Sequence, residues 1–363
     1  MTLVVKLGSS IVAADNGELR TDVLDSVCAQ VAELKRAGEE IVMVTSGAIA
    51  RGMRLMDLEV RPTGMDALQA ASAVGQGDLF RAYESRLAGA GIRAGQVLLT
   101  LSDVSERSHY LNARQTLQRL LAWGVVPVIN ENDTTATDEI TFGDNDFLAA
   151  LVAVLLRARL LVLLTNTDGV FTADPRSDSD AEMVSNIEET KDYDLIQIGD
   201  ASRFGRGGMG SKIASARIAS ESGVPVVIGN GTEVGTLAHA AAGESVGTRF
   251  APQSEGGLSP YKLWLRHAKQ PTGGIQVDAG AADRLRKSGS SLLPVGITEA
   301  TGTFKPGDAV YVLDHEKEAF AKGITEFGTF EVERIMGRKS DYLREHFPDA
   351  PAEVIHRDRF VLL

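Results

Sequence analysis

Val42-Met43-Val44-Thr45-Ser46-Gly47-Ala48-Ile49-Ala50 reads as a buried strand that ends in a tight turn and opens a helix. Its apolar, β-branched start suits a strand covered on both faces, and Gly47 permits the turn. The same rhythm repeats outward in both directions. Strand-like runs cover Leu3 to Val5, Glu40 to Thr45, Gln96 to Thr100, Val125 to Ile129, Leu160 to Thr165 and Val224 to Ile228. Helix candidates lie between them at about 22–37, 67–88, 108–122, 145–157 and 211–221, long enough for crossover connections. This order predicts an α/β fold, a three-layer αβα sandwich with a mainly parallel central sheet.

Beyond about Gly231 the chain becomes rich in Gly, Ala and Ser, and Gly247-Thr248-Arg249-Phe250 reads as a last strand of the large domain. Short strand-like pieces follow at Gly274 to Val277, Ala309 to Leu313, Ala319 to Glu326 and Val354 to His356, around a helix candidate at 279–286. The expected organisation is a large domain at 1–252, a linker at 253–270 and a small, mostly β domain at 271–349. Residues 350–363 then form an extension that packs on or completes the small domain.

Composition narrows the function classes. The 363 residues are 44% hydrophobic, enough for a sizeable core, and carry a formal charge of −12. That charge disfavours general binding to nucleic acid or anionic lipid through the long-range field, although a local basic patch can survive it. From Pro271 to Leu363 there are twelve Lys and Arg against fifteen Asp and Glu, so the small domain is mildly acidic. Cys28 is the one cysteine, which excludes an internal disulfide and a cysteine-rich metal cluster. The six histidines are scattered without metal-ligand spacing. No basic and apolar leader precedes the first strand, and no apolar run nears the roughly 20 residues that span a bilayer. A cytoplasmic location is the expectation.

Five polar, glycine-rich stretches carry the chemistry, each after a strand-like run or at a helix start. Lys6-Leu7-Gly8-Ser9 places a lysine where it can reach a phosphoryl group, with a glycine that lets backbone N–H groups approach phosphate oxygens. A surface lysine before a turn would look the same. Ser46 and the helix-start N–H groups after Gly47 favour an anion, either phosphate or carboxylate, or else Ser46 is only a cap. Asn130-Glu131-Asn132-Asp133 and Gly143-Asp144-Asn145-Asp146 can bind an ammonium group, hold magnesium with its waters, orient lysines, or serve as polar turns. Thr134 to Phe142 between them reads as a loop or hairpin across the mouth of one pocket. Arg206-Gly207-Gly208-Met209-Gly210-Ser211-Lys212 leads into a helix, where Lys212 can neutralise charge on a moving phosphoryl group. No Walker A sequence is present, nor a Gly-x-Gly-x-x-Gly after the first strand. The pattern points to phosphoryl transfer.

Taken together, these stretches and Ala173-Asp174-Pro175-Arg176 resemble the glutamate 5-kinases of the amino acid kinase superfamily. The region from 271 to 349, with Ala279-Gly280-Ala281 and Gly289-Ser290-Ser291-Leu292-Leu293-Pro294-Val295-Gly296, resembles a PUA domain. The resemblance implies ATP-dependent phosphorylation of the L-glutamate side-chain carboxylate, the first step of proline synthesis. It assigns Ser46, Gly47, Asp133 and Asn145 to glutamate. Lys6, Gly8, Ser9, Thr165, Asn166, Arg206, Gly207, Gly208, Met209, Gly210, Ser211 and Lys212 go to ATP. Lys6, Lys212 and Asp146 would be catalytic, and Asp144 and Asp146 would manage Mg2+. Feedback inhibition by L-proline and a homodimer or homotetramer are also implied. Asn166 stands where the family often has Asp, and Arg206 where it often has Thr, which bears on the nucleotide contacts. The alternatives are another carboxylate kinase, such as one for N-acetylglutamate, or an RNA-binding or regulatory PUA protein with an inactive kinase domain.

Overall fold

The computed structural model describes residues 1–363 except 15, 101–102, 104–106, 136–144, 189–191, 193–195, 197–207, 254–259, 268, 340–341 and 343–350; the side chains of 107, 108, 260, 263, 264 and 267 are also outside the described set. The chain divides into two units, Met1–Gly257 and Leu258–Leu363.

The first unit runs β1 (Thr2–Leu7), α1 (Ser9–Val12), α2 (Thr21–Arg36), β2 (Glu40–Val44), α3 (Ala48–Leu55), α4 (Met65–Gly89) and β3 (Ala94–Leu99). It continues through α5 (Arg107–Ala122), β4 (Val126–Glu131), α6 (Asn145–Leu156), β5 (Leu160–Thr165), β6 (Val170–Phe171), β7 (Met183–Val184) and β8 (Asn186–Ile187). It closes with α7 (Met209–Glu221), β9 (Val226–Asn230), α8 (Thr236–Ala242) and β10 (Thr248–Phe250). Eight strands form one sheet in the order β3-β4-β2-β1-β5-β9-β10-β8. Every pair from β3 to β9 is parallel, β10 runs antiparallel to β9, and β8 is parallel to β10. This is the expected sandwich. The reversed edge was not legible, because a three-residue strand carries no direction signal.

Period-two alternation sends Leu3, Val5 and Leu7 into the core shared with α2 and α4, while α6 contacts β1 on the side of Val4 and Lys6. Helix α6 is buried at eleven of its twelve residues, as its apolar sequence on all sides requires. Lys6 is in register with Val44 and Leu163. Strands β2, β4 and β3 lie to one side of β1, and β5 and β9 to the other. The carboxyl ends of β1 and β5 therefore flank the point where strand order reverses, the place where open α/β sheets bind ligands.

Helices α3 and α4 cross at two glycines. A Cβ on Gly75 would lie 2.0 Å from the Ala48 carbonyl oxygen and 2.4 Å from the Gly52 nitrogen, and one on Gly52 would lie 1.7 Å from the Ala71 carbonyl oxygen. Backbone atoms cannot step aside as a side chain can. Gly75→Ala is expected to destabilise the protein by about 3 kcal/mol, measured by urea unfolding. An unchanged midpoint would contradict the close crossing.

The second unit holds α9 (Pro260–His267), β11 (Pro271–Val277), α10 (Ala279–Ser288), β12 (Ile297–Gly302), β13 (Ala309–Leu313), β14 (Ala319–Ile324), α11 (Thr329–Ile335) and β15 (Phe360–Leu362). Its sheet has the order β12-β11-β13-β14-β15, packed around Ile275, Val277, Val310, Val312, Val332 and Val354. The segment read as a linker thus contains a helix. Val354 to His356, read as a strand, makes a single bridge between Ile355 and Leu292, and the terminal strand that pairs with β14 is β15.

Lys322 of β14 is buried, and its Nζ donates to the backbone oxygens of Arg266 at 3.0 Å and Lys269 at 3.1 Å. Burial pushes its ammonium down to about 8. An amine retains the two N–H donors that those carbonyls need. Because the folded pKa lies below the ordinary 10.5, the unfolded chain binds more protons between about pH 8 and 10.5. Stability therefore rises with pH through that window. The wild type is expected to gain on the order of 2 kcal/mol relative to Lys322→Met between pH 7.5 and 10.5. Parallel stability profiles would contradict the buried ammonium.

Candidate active site

Lys6 is the next-to-last residue of β1, Asp146 the second residue of α6, and Lys212 sits in the first turn of α7. All three are buried, at 1%, 0% and 6% exposure. Helices α6 and α7 pack together, which brings their first turns into contact. Lys6 Nζ pairs with Asp146 Oδ1, and Lys212 Nζ lies 2.9 Å from Asp146 Oδ2. The carboxylate also sits at a helix N-terminus, where the macrodipole favours negative charge. Burying ions costs more solvation than pairing generally returns, so such a group is poor evidence for stability. Two ammoniums held around one carboxylate sum to one net positive charge at the strand ends, which suits an anionic ligand.

Asn145, the neighbour of Asp146 in sequence, is also buried. Its Nδ2 donates to the Thr45 carbonyl oxygen and to Asn130 Oδ1. Asn130 Nδ2 donates to Gln76 Oε1 at 2.6 Å, and Thr45 Oγ1 hydrogen-bonds the Tyr83 hydroxyl at 2.8 Å. Ser72 Oγ donates to Asp133 Oδ2. Burial pushes the Asp133 carboxyl above its ordinary value, and the Ser72 hydrogen bond opposes this. A half-desolvated carboxylate of this kind is matched to an incoming cation. Gly47, at φ 105°, is the cap residue of α3, so the capping reading of Ser46 falls. Only glycine adopts that conformation without strain.

On the other side of the sheet's switch point, Gly8 N–H donates to the Leu164 oxygen at 3.3 Å, joining the ends of β1 and β5. Thr165 ends β5, and its carbonyl accepts from Gly231 N–H at 2.7 Å. Asn230 Nδ2 donates to Asp168 Oδ1 at 2.9 Å, which ties the loops after β5 and β9 together. Gly208 is the extended cap of α7, and Met209, Gly210, Ser211 and Lys212 form its first turn. Asp174 and Arg176 make an exposed ion pair at 2.8 Å that holds the aspartate down at about 2. Cys28 is buried, with its thiol pushed up to about 12, as an inert packing residue should be.

The structure brings Lys6, Lys212 and Asp146 together in one ion cluster, joins Asn145 to Asn130, and holds Asp133 against Ser72. Nothing in the sequence marked Ser72, Gln76 and Tyr83, which reach from α4 to Asp133, Asn130 and Thr45. Asp144, Arg206, Gly207 and most of the loop from Thr134 to Phe142 lie outside the described residues. Asp146 has both oxygens on lysines, which does not fit direct ligation of magnesium. Among the described residues no group of three or more His, Cys, Asp or Glu is placed to hold a metal ion.

A sheet with its switch point at β1 and β5, two buried lysines on one carboxylate and a glycine-led helix define a phosphoryl-transfer fold. Residues 1–230 match the amino acid kinase family, and the chain belongs to it. Residues 273–347 match the PUA domain. Over 369 residues the chain is 44% identical to the glutamate 5-kinase of Caldanaerobacter subterraneus subsp. tengcongensis, covering 100% of this chain and 98% of that protein. It is 43% identical over 366 residues to the glutamate 5-kinase of Citrifermentans bemidjiense, covering 99% and 97%. The solved structure of UMP kinase from Bacillus anthracis superposes with a TM-score of 0.50 at 18% identity, over 70% of this chain and 96% of that one, a likeness of fold alone.

Proposed function

We propose that the chain transfers the terminal phosphoryl group of ATP to the side-chain carboxylate of L-glutamate, giving L-glutamyl 5-phosphate and ADP, the first step of L-proline biosynthesis. The observation that carries this is the continuity of the two clusters: Asn145 belongs to the amide and carboxylate pocket, and Asp146 beside it clasps both lysines. Full-length identity to glutamate 5-kinases supports the same substrate.

A glutamate carboxylate has an ordinary pKa of about 4.3 and is already a nucleophile at neutral pH, so the site needs no strong base. Its oxygen forms a bond to the γ-phosphorus, the bond to the bridging β-phosphate oxygen breaks, and ADP leaves with that electron pair. Lys6 and Lys212 meet the charge that spreads over the moving group, and Asp146 fixes the two ammoniums before substrate arrives. Asp133 and the Oδ1 of Asn145, whose two amide N–H groups are already taken, face the ammonium of glutamate, with Ser46 and Gly47 orienting its carboxylates. Gly8, Ser9, Thr165, Asn166 and the segment from Arg206 to Lys212 line ATP. Magnesium belongs to the cosubstrate MgATP, where it would offset the charge of the phosphates.

In this reading residues 1–252 form the kinase domain, 271–349 the PUA domain, and 350–363 an extension that completes it. L-Proline binds at the acceptor side as a feedback inhibitor, the protein is a homodimer or homotetramer, and it works in the cytoplasm. Among the described residues no helix is long and apolar enough to cross a membrane.

Steady-state ADP formation with MgATP and L-glutamate, N-acetyl-L-glutamate, L-aspartate or UMP tests the reading. Turnover is expected with L-glutamate alone. Acetylation removes the charge that Asp133 faces, so turnover confined to N-acetylglutamate would overturn the substrate assignment.

A further inference from the structure

Helix α4 turns one face toward the acceptor side. Ser72, Gln76, Leu79 and Tyr83 follow one another at spacings of four, three and four, which align on a helix. The lower part of this face is apolar core, but three of its polar atoms reach the site. Ser72 meets Asp133 after β4, Gln76 meets Asn130 at the end of β4, and Tyr83 meets Thr45 after β2. Asn130 passes the contact on to Asn145. Gly75, between Ser72 and Gln76, sits against Ala48 and Gly52, so α4 is seated on the helix that begins after Ser46 and Gly47.

We propose that Ser72 is a positioning residue that gives the site its selectivity for an acceptor bearing a free ammonium group, with Gln76 its companion for the amide pair Asn130 and Asn145. This rests on L-glutamate being the acceptor. Without a donor, a half-desolvated carboxylate can rotate toward solvent or take up a proton. The Ser72 hydroxyl fixes Asp133 through Oδ2, which leaves Oδ1 to accept from the ammonium. The same hydrogen bond favours the ionised form against the effect of burial. The Thr45 carbonyl can only accept, so it settles the Asn145 amide; Asn145 then donates to Asn130 Oδ1, and Gln76 Oε1 accepts the Asn130 N–H at the end of the chain and holds that amide in place.

The test is Ser72→Ala in the full chain. KM for L-glutamate is expected to rise about tenfold, the loss of one hydrogen bond to a charged group, with kcat and KM for MgATP within about twofold. Glutarate, the same diacid without the ammonium, should inhibit competitively with a constant unchanged within about twofold. Ser72→Thr, which keeps the hydroxyl, should restore the KM. If Ser72→Ala fails to fold, Ser72→Cys keeps nearly the same volume with a weaker donor and should show an intermediate KM. Equal losses for glutamate and glutarate, or no loss for either, would overturn the assignment while leaving the function standing. A wild-type protein that does not turn over L-glutamate would remove both.

Discussion

Methionine at Lys212, or at Lys6, is expected to lower kcat by about 10²–10³-fold while KM for L-glutamate stays within about twofold. Methionine keeps much of the buried stem and removes only the charge. Both ammoniums are already held in place by one carboxylate, so they need not reorganise when charge develops. That fixed geometry is what makes an electrostatic group effective in a dry site. In the proposed reading the acceptor pocket draws on other residues, Asp133, Asn145, Asn130 and Thr45, and should keep its affinity. Steady-state kinetics with the acceptor and MgATP varied separately checks this. A rise in KM for glutamate with kcat preserved would show that the lysine serves acceptor binding.

Asp146→Asn should damage both folding and catalysis. It takes the carboxylate charge away from two buried ammoniums, and breaking a buried ion pair from one side costs about 3–5 kcal/mol. The asparagine amide also presents N–H donors toward one of the lysines, where a carboxylate offers acceptors only. Turnover is expected to fall by about 10²-fold, since the lysines lose their fixed positions. In the proposed reading ATP brings phosphate charge to the same lysines, so it should raise the melting temperature of Asp146→Asn by more than it raises that of the wild type. Calorimetry with and without nucleotide makes the comparison. Equal melting temperatures for variant and wild type without nucleotide would contradict the buried triad.

The parallel sheet was legible because apolar, β-branched runs and glycine turns are short-range signals, and each lies within one stretch of chain. Lys6, Asp146 and Lys212 were legible because each sits beside such a turn. What Asp146 does was not fully legible. Its carboxylate looks equally suited to a metal or a lysine until the fold brings α6 and α7 together and both oxygens are taken. Ser72, Gln76 and Tyr83 lie inside a 25-residue helix and not in a turn after a strand, so no strand-end signal marks them. In sequence they look like ordinary solvent-facing or core positions, because their partners are 38 to 61 residues away. The close crossing that requires Gly52 and Gly75 is a tertiary fact, since the backbones it brings together are about 20 residues apart in the chain. The helix Pro260–His267 escaped notice because Gly, Ser and Pro before it carry the composition of a linker.

The most direct test of the central claim traps the product. Purified protein, MgATP and hydroxylamine are incubated with L-glutamate or with N-acetyl-L-glutamate, and any hydroxamate is located by mass spectrometry. The proposed site, with Asp133 for a free ammonium and the lysine pair for the phosphoryl group, predicts ATP-dependent hydroxamate on the side-chain carboxyl of L-glutamate, and none from the acetylated acid. Hydroxamate from N-acetyl-L-glutamate alone, or ADP release with no hydroxamate, would contradict it.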